Sequence, residues 1–235
     1  MNKEIIIKSV KSKGVGFVAL TLLLFGWIST GLPQENKINL NTLTQETQKM
    51  SERADEMTLI WWIPEEFWRV SFEQDPSITS EQTEEFIKVL RPYTIVVAVD
   101  GEMGSFGGIT YESEQTIRSL IRVIDNDGST YRPLSGNSID ADCENFLAMM
   151  KPVFVNMLGP MGENMHFFLF PAENKKGKKI ADAGSEGNFS VELGQKNFKW
   201  RLPLGSLLLP KACPTCKEKL NGAYKFCPWD GTRLP

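Results

Sequence analysis

The sequence predicts an α+β fold: a largely antiparallel, β-sandwich-like body with inserted helices, an apolar N-terminal helix and a C-terminal hairpin. Three patterns lead there. Short stretches that alternate apolar with polar residues, or are apolar on both faces, recur between turn residues. One long apolar stripe at helical spacing interrupts them. Three of the four cysteines collect in the tail.

Residues 1–13 carry Lys3, Lys8, Lys11 and Lys13 against Glu4, and residues 14–34 follow without a charge. An uncharged run of about twenty residues just spans a hydrocarbon core of roughly 30 Å. Residues 1–34 therefore suit a signal anchor, or a secretory signal cleaved near Ser29-Thr30-Gly31. The lysines ahead of the run place its start in the cytoplasm. The rest of the chain is then expected in the cell envelope, on the outer (periplasmic) side of the cytoplasmic membrane, or secreted after cleavage. No cysteine directly follows the run, which excludes a lipid-modified cysteine there. Residues 35–58 read as a helical stalk or linker, because Leu40, Leu43, Met50, Ala54 and Met57 keep a three-to-four spacing over 38–57. A helix packed on the body suits that short pattern better than a coiled coil.

Residues 59–209 form the expected body. Leu59–Ile63 opens it with Trp61 and Trp62 in the core, and Pro64 starts a short helix through Phe72. Thr79 and Gln82 make a capping box for a helix that buries Phe86, Ile87 and Leu90 and stops at Pro92. Thr94–Val99 and Met165–Phe170 are apolar on both faces, as central strands are. Ile117–Ile124 and Thr130–Leu134 flank Asp127-Gly128 as a hairpin. Phe189, Val191 and Leu193 alternate with polar residues, as do Phe198, Trp200 and Leu202 beyond a turn over 194–197. Ile139–Leu158 is the long helix, with Cys143, Phe146, Leu147, Met150, Phe154 and Met157 on one stripe. Pro152 sits inside it, and Gly159-Pro160 ends it.

A net charge of −3 gives no reason to expect nucleic acid. Cys143 lies on an apolar stripe and His166 in an aromatic strand, so both read as core residues rather than a nucleophile and its base. Residues 101–108 lack the spacing of a phosphate-binding loop. Asp100, Glu102, Asp125 and Asp127 would have to gather at turns to hold Ca²⁺. The lysines of 175–179 read as a solvated loop.

The tail, 210–235, carries the chemistry. Cys213-Pro214-Thr215-Cys216 and Cys227-Pro228-Trp229-Asp230 form two similar corners around Asn221-Gly222. Asn-Gly is a strong signal for a two-residue hairpin turn, which would bring the corners together. Four donors would then converge as tetrahedral Zn²⁺ requires. So short a segment buries too little apolar surface to fold alone, and a metal supplies what is missing.

This tail resembles a zinc ribbon, with Cys213, Cys216 and Cys227 as the matching ligands and Asp230 where the family carries a fourth cysteine. Lys217 stands where a ribbon usually has glycine. The resemblance implies one structural Zn²⁺. A Cys213–Cys216 disulfide is the alternative that an oxidising compartment offers.

The resulting expectation is a non-enzymatic, exported and membrane-associated binding or scaffolding protein. The membrane contact is the N-terminal helix. A protein partner would meet the ribbon surface formed by Tyr224, Phe226, Trp229, Lys217, Lys219 and Lys225. Two other readings stand beside it. One is an exported hydrolase using scattered carboxylates such as Glu65, Glu66 and Asp100. The other is a cytoplasmic zinc-ribbon adaptor.

Overall fold

The computed structural model describes residues 38–235, so the signal or anchor reading of 1–34 lies outside the described residues. Among the described residues no helix is long and apolar enough to cross a membrane.

The chain enters through α1, Leu40–Thr47, capped by Asn39, whose side chain accepts from Thr42 N at 3.0 Å. Leu43 and Thr47 are buried, so this helix packs on the body as its apolar spacing suggests. It is much shorter than the helix expected over 38–57. Thr44 and Thr47 return their hydroxyls to the carbonyls of Leu40 and Leu43, and β-branched residues at such density weaken a helix. Gln48 turns extended, and β1, Gln48–Met50, joins the edge of a sheet.

That sheet has the order β1-β2-β3-β8 and is antiparallel throughout, with β2 Leu59–Ile63, β3 Tyr93–Val99 and β8 His166–Pro171. All five β2 residues are buried, as are Thr94–Val99 of β3, because both faces of the sheet are covered. Trp61 points to a helical layer: its ring centroid lies 5.2 Å from Phe67 of α2, Glu65–Glu73, and 5.3 Å from Phe154 of α5, Ala141–Leu158. α3, Ser80–Leu90, belongs to the same layer and starts with the expected capping box, closed by bonds of 2.9 and 3.2 Å between Thr79 and Gln82.

Trp62, one residue on, points the opposite way, 4.5 Å from Phe189 and 6.4 Å from Trp200. Those rings stand on the second sheet, order β10-β9-β6-β7, again all antiparallel. Its strands are β6 Ile121–Ile124, β7 Thr130–Tyr131, β9 Gly187–Leu193 and β10 Lys196–Leu202. β9 and β10 bury alternate residues and leave the others wet, and Gly194 at φ 59° closes a turn shorter than expected. The result is a mixed fold of helices on sheet on sheet, with six α-helices among the described residues.

Residues 117–120 depart from the expected strand. They complete α4, Glu114–Leu120, because Ser113 caps its start and Arg118 pairs with Glu114 one turn back at 2.9 Å. Residues 101–111 form a small hairpin, β4 Gly101–Met103 against β5 Ile109–Tyr111. A short helix, α6 Pro160–Glu163, follows α5 directly after Gly159, which takes φ 57°.

Candidate metal centre

Two six-residue corners build the tail, and they share one hydrogen-bond plan. In the first, Cys213 N donates to Glu218 O at 2.9 Å and Lys217 N to Cys213 O at 3.0 Å. In the second, Cys227 N donates to Thr232 O at 2.7 Å and Gly231 N to Cys227 O at 3.0 Å. Proline follows each leading cysteine, and the fifth position of each corner is left-handed, Lys217 at φ 64° and Gly231 at φ 71°.

The strands that frame the first corner are β11, Lys211–Ala212, and β12, Lys219–Leu220, paired Lys211↔Leu220 and Ala212↔Lys219. The hairpin turn is therefore the corner itself, not Asn221-Gly222 as expected. Asn221 instead opens the link between corners: its carbonyl accepts from Tyr224 N at 3.0 Å and its side chain from Ala223 N at 2.9 Å. Glycine is required next to it, because a Cβ at Gly222 would overlap Leu208 and the Leu209 carbonyl.

The corners bring together all four residues singled out in the sequence. One ligand atom from each of Cys213, Cys216, Cys227 and Asp230 lies within 4.8 Å of every other. Two opposite edges of that cluster can be measured against metal geometry. Cys216 Sγ and Cys227 Sγ are 3.7 Å apart, where a tetrahedron with bonds of about 2.3 Å has S–S edges of about 3.8 Å. Cys213 Sγ lies 3.4 Å from Asp230 Oδ2, against about 3.6 Å for a thiolate–carboxylate edge. The four donors lie close enough together to hold a metal ion.

Cys213 and Cys227 are buried against Leu220 and Leu234 in a small core of their own, while Cys216 and Asp230 face solvent. Burial pushes the Cys213 thiol up, but backbone N–H groups of Cys216 and Thr215 outweigh it and leave the thiol below its ordinary range. The Glu218 backbone pulls the Cys216 thiol down, yet burial and the neighbouring Cys213, Cys227 and Asp230 carry it up to about 11. Asp230 is held well below the carboxylate range, first by Thr232 N, which donates to Oδ1 at 2.9 Å, and then by the Thr232 side chain. Four donors at this separation cannot all be anionic together without a cation among them. None of the cysteines is in a disulfide.

Comparison with known proteins finds no family model, no curated protein and no solved structure that matches the chain.

The remaining candidates form no comparable cluster among the described residues. Burial, with Asp140 and Glu144 adding to it, pushes the Cys143 thiol up to about 12, and burial lowers His166, whose carboxylate neighbour is Glu114 at 3.7 Å. Neither is tuned as a nucleophile or its base. Glu65 is paired with Arg69 at 2.9 Å and Arg91 at 3.2 Å; although burial raises it, those arginines hold it below the usual range. Glu66 beside it is raised by burial. Asp100 sits elsewhere, accepting from Thr58 at 2.6 Å and Lys196 at 2.7 Å. Asp125 serves its own turn, accepting from Asp127 N, Ser129 N and Tyr131 OH at 2.8–2.9 Å. The gathering of acids that Ca²⁺ would need does not occur among the described residues.

One residue that matters to the tail has no sequence signal. Glu46, on α1, accepts from Asn221 Nδ2 at 2.7 Å through Oε1 and from Ser206 N at 2.9 Å through Oε2.

Proposed function

We propose that the chain is a non-enzymatic, exported and membrane-associated binding or scaffolding protein whose tail is a zinc ribbon closed on one structural Zn²⁺. The observation that carries the metal is the convergence of Cys213, Cys216, Cys227 and Asp230 within 4.8 Å of one another, with two opposite edges at 3.7 and 3.4 Å. Three thiolates suit a borderline-soft ion, and a carboxylate is an accepted fourth donor. The ion's contribution is a cross-link between two corners whose own core is only a few side chains. Four protein donors leave no open coordination position, which is the pattern of a structural rather than a catalytic site.

The lysine bias around the N-terminal apolar run supports export, and zinc would keep the thiolates from oxidising there. Tyr224, Phe226 and Trp229 are 46%, 59% and 75% exposed around the site, with Lys217, Lys219 and Lys225 beside them. Clustered exposed aromatics of this kind support a protein partner on the ribbon.

Elemental analysis of the reduced, purified chain should give one zinc per chain. Cys227→Ser should release it, Asp230→Ala should lose it sooner to a chelator, and Asp230→Cys should retain it at least as well as the parent. Zinc-free protein with Cys213 and Cys216 reduced would sink the metal reading. Alkaline phosphatase fused after Pro235 should be active; an inactive fusion, with a cytoplasm-maturing fluorescent protein bright at the same point, would make the chain a cytoplasmic adaptor.

A further inference from the structure

β10 is the outer strand of the second sheet, as β1 is of the first. A polar groove of about 660 Å³ lies between these two open edges, bordered by Lys49, Met50 and Ser51 on one side and Asn197, Phe198 and Lys199 on the other. That volume is within the range of about 300–1,000 Å³ in which proteins hold ligands.

The backbone along the open edge of β10, which borders the groove as far as Lys199, is unpaired in a regular way. β9 and β10 are joined by a two-residue loop, so Leu193 and Lys196 face each other as its closing, hydrogen-bonded pair. Alternation along the ladder then turns the N–H and C=O groups of Asn197, Lys199 and Arg201 away from β9. No backbone hydrogen bond engages these three among the described residues. The charges beside them are mainly positive, and the carboxylate nearest Asn197, Glu192, accepts from its Nδ2 at 3.3 Å and is paired with Arg122 at 3.5 Å. Lys199 and Arg201 are exposed and have no carboxylate at ion-pair distance among the described residues, and Lys49 lies over the Trp200 ring at 6.0 Å. Of the acids bordering the groove, Glu56 is paired with Arg53 at 3.3 Å, which leaves Glu52 as the one opposing charge.

We propose that β10 accepts an acidic, extended segment of a partner protein as an added strand. Main-chain bonds to residues 197, 199 and 201 hold the segment, and its acidic side chains, on the wet face of the sheet, meet Lys199 and Arg201. Cations on an edge strand normally deter pairing, and a second copy of β10 would set Lys199 and Arg201 against their own kind. An acidic strand turns the same charges into attraction. This surface lies on the body, so it does not depend on the metal in the tail.

The test titrates the full-length chain with a fluorescent peptide matching the seven residues of β10 and alternating glutamate with valine. Controls are a lysine–valine peptide and the acidic peptide N-methylated at every second residue. Only the unmodified acidic peptide should bind, and N-methylation should weaken it by about tenfold or more, as expected when main-chain bonds carry the affinity. Lys199→Pro removes an outward N–H and leaves the β9 ladder intact, so the melting temperature should hold while affinity falls by about tenfold. Combining Lys199→Ala with Arg201→Ala should weaken the acidic peptide about three- to tenfold and flatten its salt dependence. Cys227→Ser should bind like the parent, which separates this surface from the zinc reading. No binding of the acidic peptide, equal binding of the lysine peptide, or full affinity of the N-methylated one would overturn the proposal. The last result would mark a general polyanion surface. Should Lys199→Pro not fold, the N-methylated peptide against the parent chain decides.

Discussion

Lys217 occupies a left-handed position, φ 64°, at which the second corner has Gly231. A side chain there sets Cβ against the following carbonyl, at a cost of about 1 kcal/mol or more. Lys217 Nζ donates to Pro214 O at 2.6 Å, a local bond that offsets part of the strain. Lys217→Gly should therefore hold metal at least as long against a chelator as the parent. Lys217→Val, stiff at Cβ, should lose it faster. Cys143 gives a prediction of a different kind. In the unfolded chain its thiol ionises near 9, whereas burial in the fold defers ionisation to about 12. The folded protein thus binds more protons between those values, and stability, complete below about pH 9, falls as pH rises through the window. Cys143→Ala should flatten that alkaline decline in melting temperature, and alkylating reagents should reach Cys143 only after unfolding.

α1 is only eight residues long, yet remote parts of the fold converge on it. Thr47 Oγ1 accepts from Trp61 Nε1 at 3.1 Å, the Glu46 carbonyl from Trp200 Nε1 at 3.0 Å, and the Glu46 carboxylate from Ser206 and Asn221. Thr47→Val should cost about 1–3 kcal/mol by stranding a buried indole N–H. Glu46→Ala should raise hydrogen exchange across 205–222 while leaving the β3 amides protected. Glu46→Gln, which exchanges one acceptor oxygen for a donor, should lie between. The capping box of α3, the two-faced apolar run of β3 and the alternation of β9 and β10 were legible because each is fixed within a few neighbouring residues. The end of α1 was not: its threonines weaken the helix locally, but where it stops is set by Gln48 pairing with Trp61 across the sheet edge. Nor was the true turn of the tail, where the hydrogen bonds of the corner prevail over the Asn-Gly preference. The cluster of Cys213, Cys216, Cys227 and Asp230 was legible because its spacing is local within each corner. Glu46 was invisible, its partners lying 160 and 175 positions away.

For the whole molecule, the main core and the small core of Cys213, Leu220, Cys227 and Leu234 share no residue. Truncation before Pro210 should leave one cooperative thermal transition, lowered by only a few degrees for the lost Glu46–Asn221 bond and the close fit of Gly205 and Gly222. Chelation should strip amide protection from 211–234 and spare the strands of the body; global unfolding on chelation would mean the two cores are one cooperative unit. The aromatic arrangement makes these events separable by light. Trp61, Trp62, Trp68 and Trp200 are each at most 2% exposed, whereas Trp229 is 75% exposed beside the metal donors. Body indoles in so dry a setting emit towards the blue, with iodide excluded from them. Trp229 emits towards the red within reach of the quencher. In a Trp27→Phe background, which removes the sixth tryptophan, loss of the ion should therefore change the iodide-sensitive red component alone, and heating should later shift the blue one, so a single emission spectrum resolves the tail from the body.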